Sequence, residues 1–119
     1  MPVPKVSVVM ITYNHERYIA QAIESVISQI TDFEYELLIG EDCSTDCTRQ
    51  IVMKYAQEYP ERIRPLLPDH NLGMWDNFEV TLRAGKGEYI ALCEGDDYWT
   101  DPHKLQKQVD FLDANPEYA

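Results

Sequence analysis

The sequence predicts an α/β protein in which helices cover both faces of a doubly wound, mostly parallel sheet. Short β-branched apolar runs alternate with amphipathic helical patterns, and four such strand–helix units follow one another along 119 residues. This alternation implies parallel strands joined by right-handed crossovers, which gives three layers. A chain of this length buries roughly two thirds of its unfolded surface. We therefore expect one domain over residues 1–119.

The first unit is a buried strand followed by an amphipathic helix. Lys5–Ile11 reads KVSVVMI, a nearly continuous apolar run typical of a strand that is covered on both faces. The next apolar residues recur at helical spacing and predict one buried face: Ile19, Ala22, Ile23, Val26 and Ile27. Asn14 is a candidate N-cap for this helix.

The second unit repeats this organisation. Tyr35–Gly40 predicts a strand, and residues 44–46 supply the cap of a second helix that Pro60 ends. The apolar face of that helix comprises Ile51, Val52, Tyr55, Ala56 and Tyr59.

The third unit is weaker. Ile63–Leu67 predicts a strand at a sheet edge, because Pro65 cannot donate a hydrogen bond to a neighbouring strand. The Asn-Leu-Gly turn at residues 71–73 leads into a helix from about Trp75 to Ala84. We expect Trp75 and Phe78 to lie in the core.

The fourth unit begins with the strand Glu88–Cys93, which carries the acidic stretch LCEGDDYW at its carboxyl end. Asp101 is the predicted cap of the last helix, with Pro102 in its first position. That helix continues through Leu105, Val109 and Leu112.

Composition excludes several classes of function. The net charge of -11, from 21 acids against 10 bases, disfavours nucleic acid as a partner. No apolar run is long enough for a transmembrane segment, and no secretory signal is recognisable. Three cysteines are an odd count that suits a reducing compartment, and Cys43 and Cys47 lack a second ligand pair at zinc-site spacing. We therefore expect a cytoplasmic protein.

Polar and acidic residues follow three of the four predicted strands. They are residues 12–16 after the first strand, Glu41-Asp42 after the second, and Glu94-Gly95-Asp96-Asp97 after the fourth. The carboxyl ends of parallel strands meet at one rim of the sheet, where ligands bind. Two carboxylates about 5 Å apart repel by roughly 3 kcal/mol at a protein surface, so this rim needs a positive counter-charge.

A divalent cation accounts for the acidic rim. The sequence has neither a G-x-G-x-x-G after the first strand nor a G-x-x-x-x-G-K-[ST] loop, so backbone phosphate cradles of these kinds are absent. Mg²⁺ or Mn²⁺ takes oxygen ligands from one or two carboxylates and completes its shell with phosphates and water. Glu94 and Asp96 are the candidate ligands, with Gly95 giving the turn room to bend.

The remaining side chains of the rim have more than one interpretation. Tyr13, Tyr98 and Trp99 can stack on a base or pack against a neighbouring helix, and packing is favoured on residue type. His15 is interpreted as a solvated or capping histidine rather than a catalytic one.

Ordered motifs along nearly the whole chain resemble the inverting glycosyltransferases of family 2, which have the GT-A fold and serve bacterial cell-wall and surface-polysaccharide synthesis. The matching stretches are VSVVMITYNHERYIAQAIESVISQ, LLIGEDCSTDCT, HNLG, and GKGEYIALCEGDDYWTDPHKLQKQVDFL with the Asn77-Phe78 pair before it. With this resemblance we expect strand order 3-2-1-4.

The resemblance also implies roles for individual residues. Thr12, Tyr13, Asn14 and Glu16 are expected beside the base and ribose of a nucleotide, and Asp42 is expected to contact uracil. Asn77 matches a family asparagine and is expected at the nucleotide site, whereas Asp76 stands where many members carry arginine. Glu94 and Asp96 correspond to the D-x-D pair that holds Mg²⁺ or Mn²⁺ on the donor diphosphate, and Asp97 beside them is expected as a further residue of the metal site; Glu94 replaces the usual Asp.

The implied partners are a nucleotide-diphosphate sugar, which is expected to be UDP-linked, and a saccharide or lipid-linked acceptor. Family members continue into an acceptor-binding half that supplies the general base, which is expected beyond residue 119. The chain is thus expected to be an N-terminal donor-binding portion, cytoplasmic or peripheral at the inner membrane. A nucleotidyltransferase, a phosphoacceptor receiver domain and a non-catalytic nucleotide-binding or interaction domain remain alternatives.

Overall fold

Each predicted strand and helix is present in the computed structural model, which describes residues 3–118. The elements in chain order are β1 Val6–Thr12, α1 Ile19–Ile27, β2 Tyr35–Glu41, α2 Thr48–Glu58, β3 Ile63–Leu66, α3 Met74–Arg83, β4 Tyr89–Leu92, α4 Lys104–Ala114 and a final 3₁₀ turn, Pro116–Tyr118. The sequence periodicity therefore identified the type and order of the elements correctly.

The sheet is parallel throughout and has the order β3-β2-β1-β4, which confirms the predicted order. β1 is central, with Val6 opposite Tyr35 of β2 on one side and Tyr89 of β4 on the other. β3 lies at an edge, as Pro65 predicted, because an edge strand leaves one row of backbone donors without a neighbouring strand.

One face of the sheet carries the main apolar core, beneath α1, α2 and α4. Alternate residues of β1 and β2 point into it, and the predicted face of α1 packs against them. Its buried members are Val6, Val8, Met10, Ile19, Ala22, Ile23, Val26, Tyr35, Leu37, Ile39, Val52, Ile63, Cys93, Leu105 and Val109. Burying one Val, Leu or Ile side chain stabilises the fold by about 1.5–3 kcal/mol.

The opposite face is covered by α3 through polar contacts. Asn77 Nδ2 donates a hydrogen bond of 2.9 Å to the Gly40 carbonyl oxygen, and Thr81 Oγ1 donates one of 2.7 Å to the Asn77 carbonyl oxygen. A Cβ at Gly40 would lie 2.7 Å from Asn77 Oδ1, so the helix approaches β2 this closely only because residue 40 is glycine. Since polar residues form the buried side of α3, Trp75 is 77% exposed and Phe78 only half-buried; the prediction that Trp75 lies in the core was wrong.

β4 forms the other edge of the sheet. It is four residues long, and Ile90 and Leu92, on the side of the sheet that α3 covers, are 45% and 57% exposed. α3 contacts β1 and β2 and leaves these two side chains uncovered.

Three helix starts differ from the predicted caps. α2 begins at Thr48 with Cys47 in the N-cap position, after the predicted cap segment 44–46, and Asp46 Oδ1 accepts a hydrogen bond from the Thr48 amide. α1 begins at Ile19, and its first amide bonds to the carbonyl oxygen of His15, so Asn14 is not its N-cap. Asp101 Oδ1 accepts a hydrogen bond from the His103 amide, but it does so in the turn that precedes Lys104, and Pro102 lies in that turn rather than in the helix. In all three places the helix begins later than the sequence pattern indicated.

Candidate active site

A cavity of about 500 Å³ opens at the carboxyl ends of β1, β2 and β4, the rim where the sequence placed the site. It is lined by Ile11, Thr12, Tyr13, His15, Asp42, Asn71, Gly73, Met74, Asn77, Glu94 and Asp96. Six of the nine predicted site residues are in this lining: Thr12, Tyr13, Asp42, Asn77, Glu94 and Asp96. The other three, Asn14, Glu16 and Asp97, lie outside it.

Asn14 and Glu16 join the loop after β1 to the loop after β2. Asn14 has a left-handed backbone (φ 55°), and its Oδ1 accepts a hydrogen bond of 2.8 Å from the Thr45 amide. Glu16 Oε2 accepts one of 3.3 Å from the Cys47 amide, and the Glu16 amide donates to Asp46 Oδ2. We call these contacts between residues 14–16 and 44–47 the loop clasp. The clasp makes the two loops one unit at the wall of the cavity.

Two side chains of the loop clasp have shifted pKa values. Burial raises the pKa of Asp46, but hydrogen bonds from the Thr48 hydroxyl and amide and from the Glu16 amide outweigh it, so the pKa of this carboxyl lies below its ordinary value. The hydrogen bond to Glu16 and the charge of its carboxylate raise the pKa of the exposed Cys47 thiol. The Cys47 shift follows from the proximity of the two loops, whereas the Asp46 shift comes mainly from Thr48 in its own segment, with a smaller contribution from the Glu16 amide.

Asp42 holds the loop between β3 and α3 against the cavity. Its side chain is almost fully buried; Oδ1 accepts a hydrogen bond of 2.7 Å from the Leu72 amide and Oδ2 one of 3.0 Å from the Gly73 amide. Asn71 Nδ2 adds a bond of 3.0 Å to the Asp42 carbonyl oxygen. Because each carboxylate oxygen can accept more than one hydrogen bond, Asp42 keeps acceptor capacity for a ligand. The sequence did not identify Asn71 or Gly73 as members of the site, although the Asn-Leu-Gly turn signal marked their loop.

Glu41 is not part of the rim, contrary to the prediction. Its side chain is 0% exposed and forms an ion pair with Arg49 Nε. Arg49 Nη2 also donates to the carbonyl oxygens of Glu41, at 3.1 Å, and Pro68, at 2.9 Å. The bond from Arg49 to Pro68 fixes the start of the loop between β3 and α3, and Asp42 holds the end of that loop. No periodic signal links residues 41 and 49, so this partnership was not predictable from spacing.

The acidic turn after β4 presents two carboxylates to the cavity. The Gly95 amide bonds to the Ile11 carbonyl oxygen at 3.0 Å, and a Cβ at Gly95 would lie 2.5 Å from Thr12 Oγ1, so only glycine lets the turn pack on β1. Glu94 and Asp96 are exposed and line the cavity. Asp97 instead accepts a hydrogen bond of 2.8 Å from the Tyr98 amide.

The donor set of this turn suits a hard divalent cation. Within residues 3–118 no three His, Cys, Asp or Glu side chains converge as a ready-made metal centre. Two carboxylates with open space beside them match an ion such as Mg²⁺, which is held by one or two carboxylates together with phosphates and water. Any such site in this chain is therefore incomplete without a ligand that carries its own oxygen atoms.

His15 lies between β1 and the acidic turn, a position that the sequence interpretation missed. Its Nδ1 is 2.9 Å from Thr12 Oγ1, and its Nε2 is 3.9 Å from Asp96 Oδ2. The His15 amide donates to Thr48 Oγ1 at 2.9 Å, which fixes the backbone below the ring. The side chain is 26% exposed, and it faces the cavity rather than bulk solvent.

A parallel sheet in the order β3-β2-β1-β4, with helices on both faces and an acidic cavity at its carboxyl rim, matches the GT-A fold. The family model described as Glycosyl transferase family 2 matches residues 7–119. The chain belongs to glycosyltransferase family 2.

Curated relatives are similar to this chain over most of its length. An uncharacterized protein of Mycobacterium tuberculosis is 51% identical over 111 residues, which are 93% of this chain and 32% of the relative. The poly(ribitol-phosphate) beta-N-acetylglucosaminyltransferase TarS of Staphylococcus aureus is 34% identical over 93% of this chain and 19% of its own length. The chain thus spans about a third or less of the length of these relatives.

Solved structures show the same fold. The crystal structure of S. aureus TarS 1-349 in complex with UDP-GlcNAc has a TM-score of 0.80 and 33% identity over 92% of this chain and 31% of that chain. The mannosyltransferase PcManGT from Pyrobaculum calidifontis, in complex with GDP-Man and Mn²⁺, has a TM-score of 0.80 and 23% identity. The match covers 94% of this chain and 33% of that chain, and at this identity it bears on the fold alone. In the part of this chain that is described, no helix has the length and apolar character to cross a membrane.

Proposed function

We propose that this chain is the donor-binding portion of a glycosyltransferase and binds a UDP-linked sugar with Mg²⁺ or Mn²⁺. One observation carries the proposal: Asp42, after β2, and Asp96, after β4, line the same cavity, with Thr12 and Tyr13 of the first strand's end between them. A nucleotide-diphosphate needs a site for its base at one end and a counter-charge for its phosphates at the other. The two ends of this cavity offer these two environments.

The base and ribose are assigned to the side of the cavity near Asp42. Tyr13 is 44% exposed at the wall, which leaves a ring face open for stacking. Asp42 supplies an acceptor for an N–H of the base. Asn77 donates a hydrogen bond from Nδ2 to the Gly40 carbonyl oxygen and so fixes the floor of the cavity. Asn14 and Glu16 act indirectly, through the loop clasp. The TarS structures with UDP-GlcNAc and UDP support uridine as the base.

The cation is assigned to Glu94 and Asp96, with Asp97 holding the turn beside them. When bound, the ion would neutralise negative charge on the leaving diphosphate. Glu94 has one methylene more than the aspartate usual in the family, and it still supplies an oxygen ligand. Gly95 lets the tight turn that carries Glu94 and Asp96 pack against Thr12, so both side chains extend from the same turn.

The reaction in the whole enzyme is proposed to be inverting transfer. The acceptor hydroxyl oxygen of a saccharide or lipid-linked substrate forms a bond to the anomeric carbon as the bond to the diphosphate breaks. None of the residues in this cavity is assigned as the base that takes the hydroxyl proton. A cytoplasmic location, or a peripheral one at the inner membrane, suits the three free thiols.

Calorimetry and thermal unfolding with UDP, GDP, CDP and ADP, each with Mn²⁺ and with EDTA, test the proposal. UDP with Mn²⁺ should raise the Tm, since a ligand at about 100 times its Kd stabilises the folded state by about 2.7 kcal/mol. Equal stabilisation in EDTA would contradict the metal assignment, and a preference for another base would contradict uridine. No binding by any nucleotide would overturn the proposal as a whole.

A further inference from the structure

The cavity has an unusual charge composition for a phosphate site. Three carboxylates line it, from Asp42, Glu94 and Asp96, whereas no Lys or Arg among residues 3–118 does. Arg49, which follows β2, is committed to Glu41 and Pro68, and the exposed Arg17 does not line the cavity. A diphosphate bound here must therefore find its hydrogen-bond donors in other groups of the wall.

His15 has a free donor position at this wall. One ring nitrogen, Nδ1, is occupied by Thr12 Oγ1 at 2.9 Å. The other, Nε2, makes no hydrogen bond within residues 3–118: its nearest acidic oxygen, Asp96 Oδ2, is at 3.9 Å, which is too long. If the Thr12 hydroxyl donates to Nδ1, the neutral ring carries its proton on Nε2, which is then an N–H donor at the cavity wall.

The ring is also held rigidly enough to act as a specific donor. The His15 amide bonds to Thr48 Oγ1, and the His15 carbonyl oxygen accepts from the first amides of α1. Gly95 packs against the ring, where a Cβ would lie 2.9 Å from Nδ1. The ring is therefore restricted between Thr12 and the turn that carries Glu94 and Asp96.

We propose that His15 Nε2–H donates a hydrogen bond to a phosphate oxygen of the bound nucleotide, with Thr12 setting the tautomer. The proposal rests on the proposed function, because it requires that a nucleotide phosphate lies beside Asp96. It adds a ligand-contact residue from the loop after β1 to a site otherwise formed by carboxylates and a cation. An alternative role for His15, in which it only orients Asp96, predicts a different pattern of binding defects.

Two substitutions of His15 test the roles of its two ring nitrogens separately. Asn places its amide nitrogen near the position of Nδ1, so His15→Asn keeps a polar partner for Thr12 and removes the donor at Nε2. Gln places its amide nitrogen near the position of Nε2, so His15→Gln keeps that donor. Binding of UDP and of uridine is measured by calorimetry in saturating Mn²⁺, and binding of Mn²⁺ alone is followed by electron paramagnetic resonance.

His15→Asn should weaken UDP binding about tenfold, the loss expected for one hydrogen bond to a charged group. Its affinities for uridine and for Mn²⁺ alone should stay at the wild-type values, and His15→Gln should keep most of the UDP affinity. Thermal unfolding of both variants without ligand checks that the fold is retained.

Three results would overturn the inference. Unchanged UDP binding by His15→Asn excludes a phosphate contact, an equal loss for uridine and UDP assigns His15 to the loop structure, and weakened binding of Mn²⁺ alone assigns it to the orientation of Asp96. Failure of the proposed function is distinguishable, because the wild-type chain would then bind neither UDP nor uridine under any of these conditions.

Discussion

The backbone amide of Gly73 donates a hydrogen bond of 3.0 Å to Asp42 Oδ2, so the end of β2 and the start of α3 are joined through a carboxylate at the cavity wall. Gly73 has φ 88°, a conformation that other residues rarely adopt, and this allows its amide to face Asp42. Asp42 therefore has a structural partner in addition to any ligand.

Asp42→Ala should lower both stability and base recognition. Two backbone amides lose their acceptor, which costs about 1–3 kcal/mol of unfolding free energy. Uridine binding should weaken more than binding of free diphosphate. Asp42→Asn is the matched variant, because its single amide oxygen still accepts one of the two bonds. Urea unfolding and calorimetry measure the two effects; an equal loss for both ligands would contradict the assignment of Asp42 to the base.

Asp96→Asn should abolish the cooperation between Mn²⁺ and UDP, because an amide oxygen is a weaker ligand for a hard cation than a carboxylate. Asp97→Asn is the comparison, since this neighbouring side chain does not line the cavity and accepts a hydrogen bond from the Tyr98 amide. Thermal unfolding with UDP, with and without Mn²⁺, distinguishes the two variants. Equal defects would show that Asp97 is also a ligand.

Arg49→Met should strongly destabilise the fold. It leaves the Glu41 carboxylate, which is 0% exposed, without its cationic partner, and breaking a buried ion pair in this way costs about 3–5 kcal/mol. Arg83→Met is the control, because the Arg83–Glu79 pair is exposed on α3 and such pairs contribute about 0–1 kcal/mol. Urea unfolding of both variants gives the comparison. Similar losses would mean that the Glu41–Arg49 pair is not energetically distinct.

Glu16→Gln should speed alkylation of Cys47. Glu16 raises the pKa of this thiol by its hydrogen bond and its charge, so a neutral side chain lowers that pKa and increases the thiolate fraction near pH 8. Burial raises the pKa of Cys93 to about 11, so this residue should stay unreactive in both proteins and serves as an internal control. Peptide-resolved mass spectrometry follows each cysteine. An unchanged Cys47 rate would argue against the loop clasp.

Acidification should weaken the same clasp. The pKa of Asp46 is lower in the folded chain than its ordinary value of 3.8, so its contribution to stability is complete above that value and is lost as the pH falls through the folded pKa. Asp46→Asn should reduce the stability at pH 6 and flatten its dependence on pH below about 4. Thermal unfolding between pH 2.5 and pH 6 tests this expectation, and parallel curves for the two proteins would contradict it.

The fold was predictable because its main determinants are local. The apolar run of β1 and the helical spacing of α1 each specify one element, and Pro65 alone indicated that β3 is an edge strand. α3 was only partly predictable. Its buried side carries Asn77 and Thr81, which fit beside Gly40, so the rule that apolar residues face the core misplaced Trp75.

The sequence predicted which strand ends form the site, but it did not predict which side chains contact one another there. The position of Asp42 and Asp96 on one rim follows from parallel topology, which the sequence pattern indicates. The pairing of Glu41 with Arg49 and the position of His15 beside Asp96 depend on tertiary packing of loops, for which spacing gives no signal. Asn14 and Glu16 were assigned to a ligand by resemblance, whereas their visible partners are backbone amides of the next loop.

The edge at β4 bears on how this domain behaves as an isolated protein. β4 is an outer strand with Ile90 and Leu92 uncovered, and the free edge of such a strand can pair with strands of other molecules. The shortness of β4 limits this pairing, and the net charge of -11 opposes it through electrostatic repulsion between molecules. Aggregation should therefore increase with added salt, as screening removes that repulsion, and should fall when Leu92 is replaced by lysine.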